Sequence, residues 1–133
     1  MTPELFWMTL TVFMTALLWV PYFIDRIAVR GLWGAICGTQ AEVNLPHSAW
    51  AQRALRAHQN AAENLAIFVP AVLAAHLLHI STPLTQMAAL VYFAARLVHY
   101  IVYTLGVPLG RTLSFTVAWG AQMVIIASVL HWL

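Results

Sequence analysis

Four long apolar stretches, at about residues 4–25, 52–78, 84–105 and 112–132, leave this chain almost nothing with which to build a water-facing surface. Each reaches the roughly 20 mostly apolar residues that a helix needs to cross a bilayer. Of the 133 residues, 62% are hydrophobic and 8% charged, with mean hydropathy +0.82, a balance that a soluble domain of this size has no interior large enough to hide. The expected fold is all-α, an integral membrane four-helix bundle forming one domain over residues 1–133. The stretch Leu5–Val20 has no basic region before it. Pro21-Tyr22-Phe23 follows where small residues would mark a cleavage site, so it reads as a retained first helix.

The connections are the polar stretch Asp25–Trp50, the Ser81-Thr82-Pro83 turn and the Gly106–Gly110 turn. Pro83 suits the first turn of the third helix, and Pro70 is expected to kink the second. Arg26 and Arg30 follow the first span, Arg53 and Arg56 open the second, Arg111 opens the fourth, and Arg96 lies deeper in the third, toward the same end. The positive-inside rule places that end in the cytoplasm and both termini outside.

A net charge of +2 without a basic stripe argues against nucleic acid. Cys37 is the only cysteine, so it has no intramolecular disulfide partner and reads as an inert loop thiol. His76 and His79 are three residues apart but have no third ligand from Cys, Asp or Glu nearby in sequence, so no metal site is expected. With His131, they read as interfacial histidines. Trp7, Trp19, Trp119 and Trp132 read as membrane anchors. Small residues at Ala71–Ala75, Ala88–Ala89 and Ala94–Ala95 allow helices to approach closely.

The second span opens with a polar stripe in which Arg56, Asn60 and Glu63 are spaced by four and three residues; Arg96, His99 and Tyr103 repeat that spacing in the third. A charge alone in hydrocarbon costs several kcal/mol, so Glu63 and Arg96 are expected to turn inward and to pair. Such a pair by itself would only fix helix register. With Arg111 added, the set offers donors for a ligand carrying carboxylates.

The run Arg53-Ala-Leu-Arg56-Ala-His58-Gln59-Asn60-Ala-Ala-Glu63-Asn64 resembles the signature of the MAPEG family, the membrane-associated proteins in eicosanoid and glutathione metabolism. Arg96-Leu-Val-His99-Tyr-Ile-Val-Tyr103, followed by Arg111-Thr112, is a second match, and the resemblance covers about residues 5–132. It implies a compact prokaryotic-type member in a bacterial inner membrane. It further implies a homotrimer that binds glutathione between subunits near the cytoplasmic helix ends. By position, Arg56, Asn60, Glu63, Arg96, His99, Tyr103 and Arg111 would hold glutathione, with Arg26 or Arg30 adding a cation. Arg111 would lie beside the thiol, and Thr112 and Ser114 remain as hydroxyl donors. Gln59 stands where some eicosanoid-pathway members carry arginine, and Phe115 where several carry tyrosine. These departures favour a general glutathione transferase or peroxidase-like role over a prostaglandin or leukotriene synthase.

In that expected reaction a guanidinium favours the thiolate electrostatically, and the thiolate attacks a hydrophobic electrophile arriving from the bilayer. Two other readings stand beside it. One is a glutathione- or lipid-binding membrane protein without catalysis. The other is a small transporter using Glu63, Arg96 and His99, which the lack of inverted repeats weakens.

Overall fold

The computed structural model describes residues 1–38 and 48–133. Five helices carry the described chain: α1 (Pro3–Leu17), α2 (Val20–Cys37), α3 (Ala49–Leu77), α4 (Pro83–Leu105) and α5 (Pro108–Val129). Four helical stretches are long and apolar enough to cross a membrane, with α1 and α2 together forming the first, Pro3–Cys37. The chain is thus an all-helical membrane bundle of four spans.

The first span differs from its expected outline in two ways. Pro21 has no N–H for the carbonyl four residues back and crowds it, so the helix breaks after Leu17 and restarts at Val20. The Leu18 carbonyl at this break accepts a hydrogen bond from the Tyr100 hydroxyl at 3.0 Å. Helix then continues past Asp25 to Cys37, although this region reads as a polar connection by composition. Asp25 is buried, and its Oδ2 accepts from the Ser48 backbone N–H at 3.1 Å, immediately before α3 begins. A sharp bend occurs at Gly31, whose φ of 74° and ψ of 163° fall where a Cβ is poorly tolerated. Cys37 is exposed at the end of α2 rather than in a loop. The interior of the expected first connection, residues 39–47, lies outside the described residues.

The helix α4 occupies the centre, packed against α1, α3 and α5. Its core contact is a ring stack between Tyr92 and Phe68 of α3, with centroids 3.7 Å apart and planes within 9°. Alanines fill most of the remaining core, among them Ala75, Ala88, Ala89, Ala95, Ala118 and Ala121, so the helices come close without large interlocking side chains. A second cluster near the arginine-rich end joins Leu18 and Tyr100 to Ala54, Ala57 and Ala61 of α3. Trp7 departs from the expected anchoring role: it is partly buried against the core, its ring 5.4 Å from Phe93. Trp19, Trp119 and Trp132 are exposed.

Polar groups inside the bundle use nearby acceptors. Thr11 and Thr15, both buried on α1, donate to the carbonyls of Trp7 and Thr11 at 2.7 and 2.8 Å. Glu4 is 3% exposed; its Oε1 accepts from Thr85 Oγ1 at 2.6 Å and its Oε2 from Ser81 Oγ at 3.1 Å. Thr82 and Thr85 form a capping box at the start of α4, so this carboxylate also meets the positive end of that helix. Thr85→Val is expected to remove the short bond and lower unfolding stability by about 1.5–3 kcal/mol, the usual range for a bond to a charged group. Thermal unfolding in detergent measures it, and an unchanged transition would mean that Glu4 finds an equivalent partner.

Candidate functional site

At the arginine-rich end, α4 and α5 are joined by a two-residue connection. Gly106 caps α4 in the left-handed conformation, with φ 77°, and Pro108 starts α5, so Arg111 falls in the first turn of that helix. Arg53 of α3 reinforces the turn: its Nε donates to the Thr104 carbonyl at 2.8 Å, near the C-terminal end of α4, where unpaired carbonyls favour a cation. A Cβ on Gly106 would lie 3.2 Å from the same Nε. The left-handed backbone favours glycine here, and any side chain would also press on the Arg53 guanidinium.

Two cavities flank the turn, sharing Tyr103 and Arg111. The larger, about 370 Å³, is lined by Asn60, His99, Tyr103, Arg111, Thr112 and Phe115. The smaller, about 190 Å³, is lined by Arg53, Tyr103, Gly106, Val107, Pro108 and Arg111. The Arg111 guanidinium carbon sits 5.0 Å from the centre of the Tyr103 ring, within cation–π range. His99 meets Tyr103 edge-on at 5.5 Å and lies 6.1 Å from the Phe115 ring. An exposed cation held over an aromatic ring, above a recess bearing amide, imidazole, phenol and hydroxyl groups, suits an anionic ligand with several hydrogen-bonding functions.

Behind this recess Arg96 is 2% exposed, and its Nη2 donates to Asn60 Oδ1 at 2.8 Å. Asn64 Nδ2 donates to the Asn60 backbone carbonyl at 2.9 Å. The expected Glu63–Arg96 pair does not form: Glu63 is exposed on the outer face of α3, and Arg96 uses the neutral carboxamide. Burial explains the choice, since Asn60 lies on the flank of α3 that faces α4.

Of the residues expected to act together, Asn60, His99, Tyr103, Arg111 and Thr112 line one cavity, and Arg96 supports it from behind. Arg56 and Glu63 are exposed and, like Arg26 and Arg30, line neither cavity of this single chain. Ser114 does not join Thr112. Buried, it donates to the Gly110 and Arg111 carbonyls at 2.7 and 3.2 Å, and it lines an apolar groove on the other side of the α4–α5 pair with Ala94, Val98 and Val117. Successive helical residues are rotated by about 100°, which puts Ser114 on a different side from Thr112 and Phe115.

Three contributors carried weaker sequence signals. Arg53 reads as a topology charge and as the first residue of the family-like run, with no site role, although a glycine turn ending a helix calls for a cation near its carbonyls. His58 Nδ1 lies 2.8 Å from the Tyr22 hydroxyl, tying α2 to α3. Tyr100, next to His99, holds the break in the first span.

A four-span bundle with a polar, arginine-rimmed recess at one end defines an integral membrane protein. The MAPEG family model matches residues 5–131, nearly the whole length, and the chain belongs to that family, which includes glutathione transferases and peroxidases among other members. No curated protein and no solved structure matches the chain.

Proposed function

We propose that this protein is a glutathione-dependent membrane enzyme that conjugates or reduces hydrophobic electrophiles. It would work as a homotrimer in a bacterial inner membrane, with its site facing the cytoplasm. The observation that carries this reading is the recess in which Arg111 stands over Tyr103 beside Asn60, His99 and Thr112. Glutathione carries two carboxylates, an amine, two amides and a thiol, a set of groups that such a recess can receive. Arg111 beside the sulfur favours loss of the thiol proton to water; the resulting thiolate forms a C–S bond with an electrophilic carbon entering from the bilayer, and the displaced electron pair departs with a leaving group or, after addition to a double bond, takes a proton from water. In the reducing mode the thiolate takes one oxygen of a peroxide, releasing the alcohol, and a second glutathione displaces that oxygen as water to give the disulfide. Thr112, at the cavity wall, donates its hydroxyl to the Pro108 carbonyl at 3.2 Å and so offers a ligand its lone pairs. Ser114, committed to its own helix, serves packing.

Self-association has separate support. Arg56, Gln59 and Glu63 form an exposed polar stripe on α3, a helix otherwise apolar enough to span the membrane. Charges facing lipid are costly, and a second copy placed over this face would cover them and bring Arg56 and Glu63 to a neighbour's recess.

Thermal unfolding of the detergent-purified protein with increasing glutathione tests the binding step. A ligand at about a hundred times its Kd adds about 2.7 kcal/mol, so a clear upward shift at millimolar glutathione is expected. A smaller shift is expected with S-methylglutathione if the thiolate contributes to binding. The absence of any shift with either ligand would remove glutathione from the proposal. Phe115 favours a second reading, binding without turnover, because this position of the cavity wall adds no hydroxyl and leaves Tyr103, whose ring lies under Arg111, as the phenol of the recess. A shift with glutathione, together with no conjugation across a broad panel of electrophiles, would establish that reading instead.

A further inference from the structure

Beneath the recess, the interior of the bundle contains polar atoms that no protein group satisfies. Tyr92, Arg96 and Gln122 are 1%, 2% and 2% exposed, yet the Tyr92 hydroxyl, Arg96 Nε and Gln122 Oε1 have no hydrogen-bond partner among the described residues. Tyr92 and Arg96 are four residues apart on α4 and therefore share a face. Gln122 comes to the same level from α5. The two helices run antiparallel from a short turn, and the ring contact between His99 and Phe115 sets their register. Seven residues before His99 is Tyr92, and seven after Phe115 is Gln122. All three side chains are enclosed by their own chain, so a neighbouring subunit cannot reach them.

Leaving such groups bare costs about 1–3 kcal/mol each, and a lipid-embedded bundle has no bulk water to relieve them. Their chemistry is complementary. The hydroxyl and the guanidinium Nε donate, whereas the carboxamide oxygen accepts. A water molecule has two lone pairs and two hydrogens, so one water can accept from Tyr92 and Arg96 while donating to Gln122. In globular proteins buried waters occur roughly once per 27 residues, each with about three hydrogen bonds to buried polar groups that would otherwise be unsatisfied.

We propose that a bound water molecule is a fixed constituent of the bundle interior, held by the Tyr92 hydroxyl, Arg96 Nε and Gln122 Oε1. It completes the bonding of Arg96, whose Nη2 is already committed to Asn60 at the recess. Arg96 is thereby held from both sides, and Gln122 becomes a positioning residue for a site that it does not touch. The water site depends on neither glutathione nor catalysis.

X-ray radiolytic footprinting of the whole detergent-solubilised protein tests this, because hydroxyl radicals formed from a bound water oxidise the side chains that hold it. Tyr100 is the internal control: it is also buried, at 8% exposure, and its hydroxyl is satisfied by the Leu18 carbonyl. Tyr92 is expected to be oxidised at least about threefold faster than Tyr100 if it holds a structural water. Equal or slower oxidation of Tyr92 overturns the proposal without need of any variant. Gln122→Leu removes the acceptor without adding a sulfur that would itself consume radicals, and it is expected to bring Tyr92 oxidation down to the Tyr100 rate. A folded Gln122→Leu protein with undiminished Tyr92 oxidation would overturn the assignment of Gln122.

Discussion

Arg111→Ala is expected to lower glutathione conjugation by about a hundredfold under the proposed function, the scale on which removing one preorganised charge-stabilising group slows a reaction. The loss should appear in kcat with the electrophile saturating, while the glutathione-induced thermal shift is reduced only in part, because Asn60, His99, Tyr103 and Thr112 still line the cavity. A more direct readout is the ultraviolet absorbance of bound glutathione thiolate near neutral pH, expected to fall in the alanine variant and to recover partly in Arg111→Lys. Lysine restores the charge but not the planar group that lies over Tyr103. Full activity of Arg111→Ala would remove this residue from the chemistry and shift attention to Arg53, the other cation lining a cavity at this turn.

Arg96→Met separates two roles that the sequence leaves entangled. If Arg96 only fixes helix register, replacing it with an apolar side chain of similar length should abolish a structural bond and nothing else. Removing the guanidinium takes away a buried charge that has no carboxylate partner, but it also leaves Asn60 Oδ1 without its donor, a loss of about 1–3 kcal/mol, so the two effects oppose each other. The expected result is a folded variant with an unfolding temperature close to that of the parent, together with glutathione affinity about 10- to 100-fold weaker, because Asn60 loses the donor that orients its carboxamide. Unchanged affinity in a stable variant would confine Arg96 to the scaffold.

The four spans were legible because each contains an apolar run with no competing use in a chain of this length. The extent of the first helical stretch was not. Asp25, Arg26 and Arg30 look like a connection by composition, yet Asp25 is buried against the start of α3 and the helix runs on to Cys37. In the site, helical spacing correctly grouped His99 with Tyr103 and placed Asn60 at their level. It did not distinguish Asn60 from Arg56 and Glu63. With about 100° per residue, these three lie within about 60° of one another, and the boundary between the buried and outer faces of α3 passes through that narrow sector. Which side of the boundary a residue occupies depends on the tilt and rotation set by packing, which one-dimensional spacing does not contain. The same limit grouped Ser114 with Thr112. The Glu4 knot was missed for a different reason: its partners Ser81 and Thr85 are distant in sequence, and only the parallel alignment of α1 with α4 brings them together.

The two ends of α4 are moored by charges of opposite sign, a carboxylate at its first turn and a guanidinium at its last carbonyls. Each mooring belongs to a different helix, so sliding or tilting α4 would break one tether or the other, and His99 and Tyr103 stay at a constant depth. The opposite wall of the recess takes its position from that moored helix: α5 starts at Pro108 after a two-residue turn, and Arg111 in its first turn lies over the Tyr103 ring. Depth along the membrane normal is thus set once, on α4, for both the aromatic floor of the recess and the cation above it.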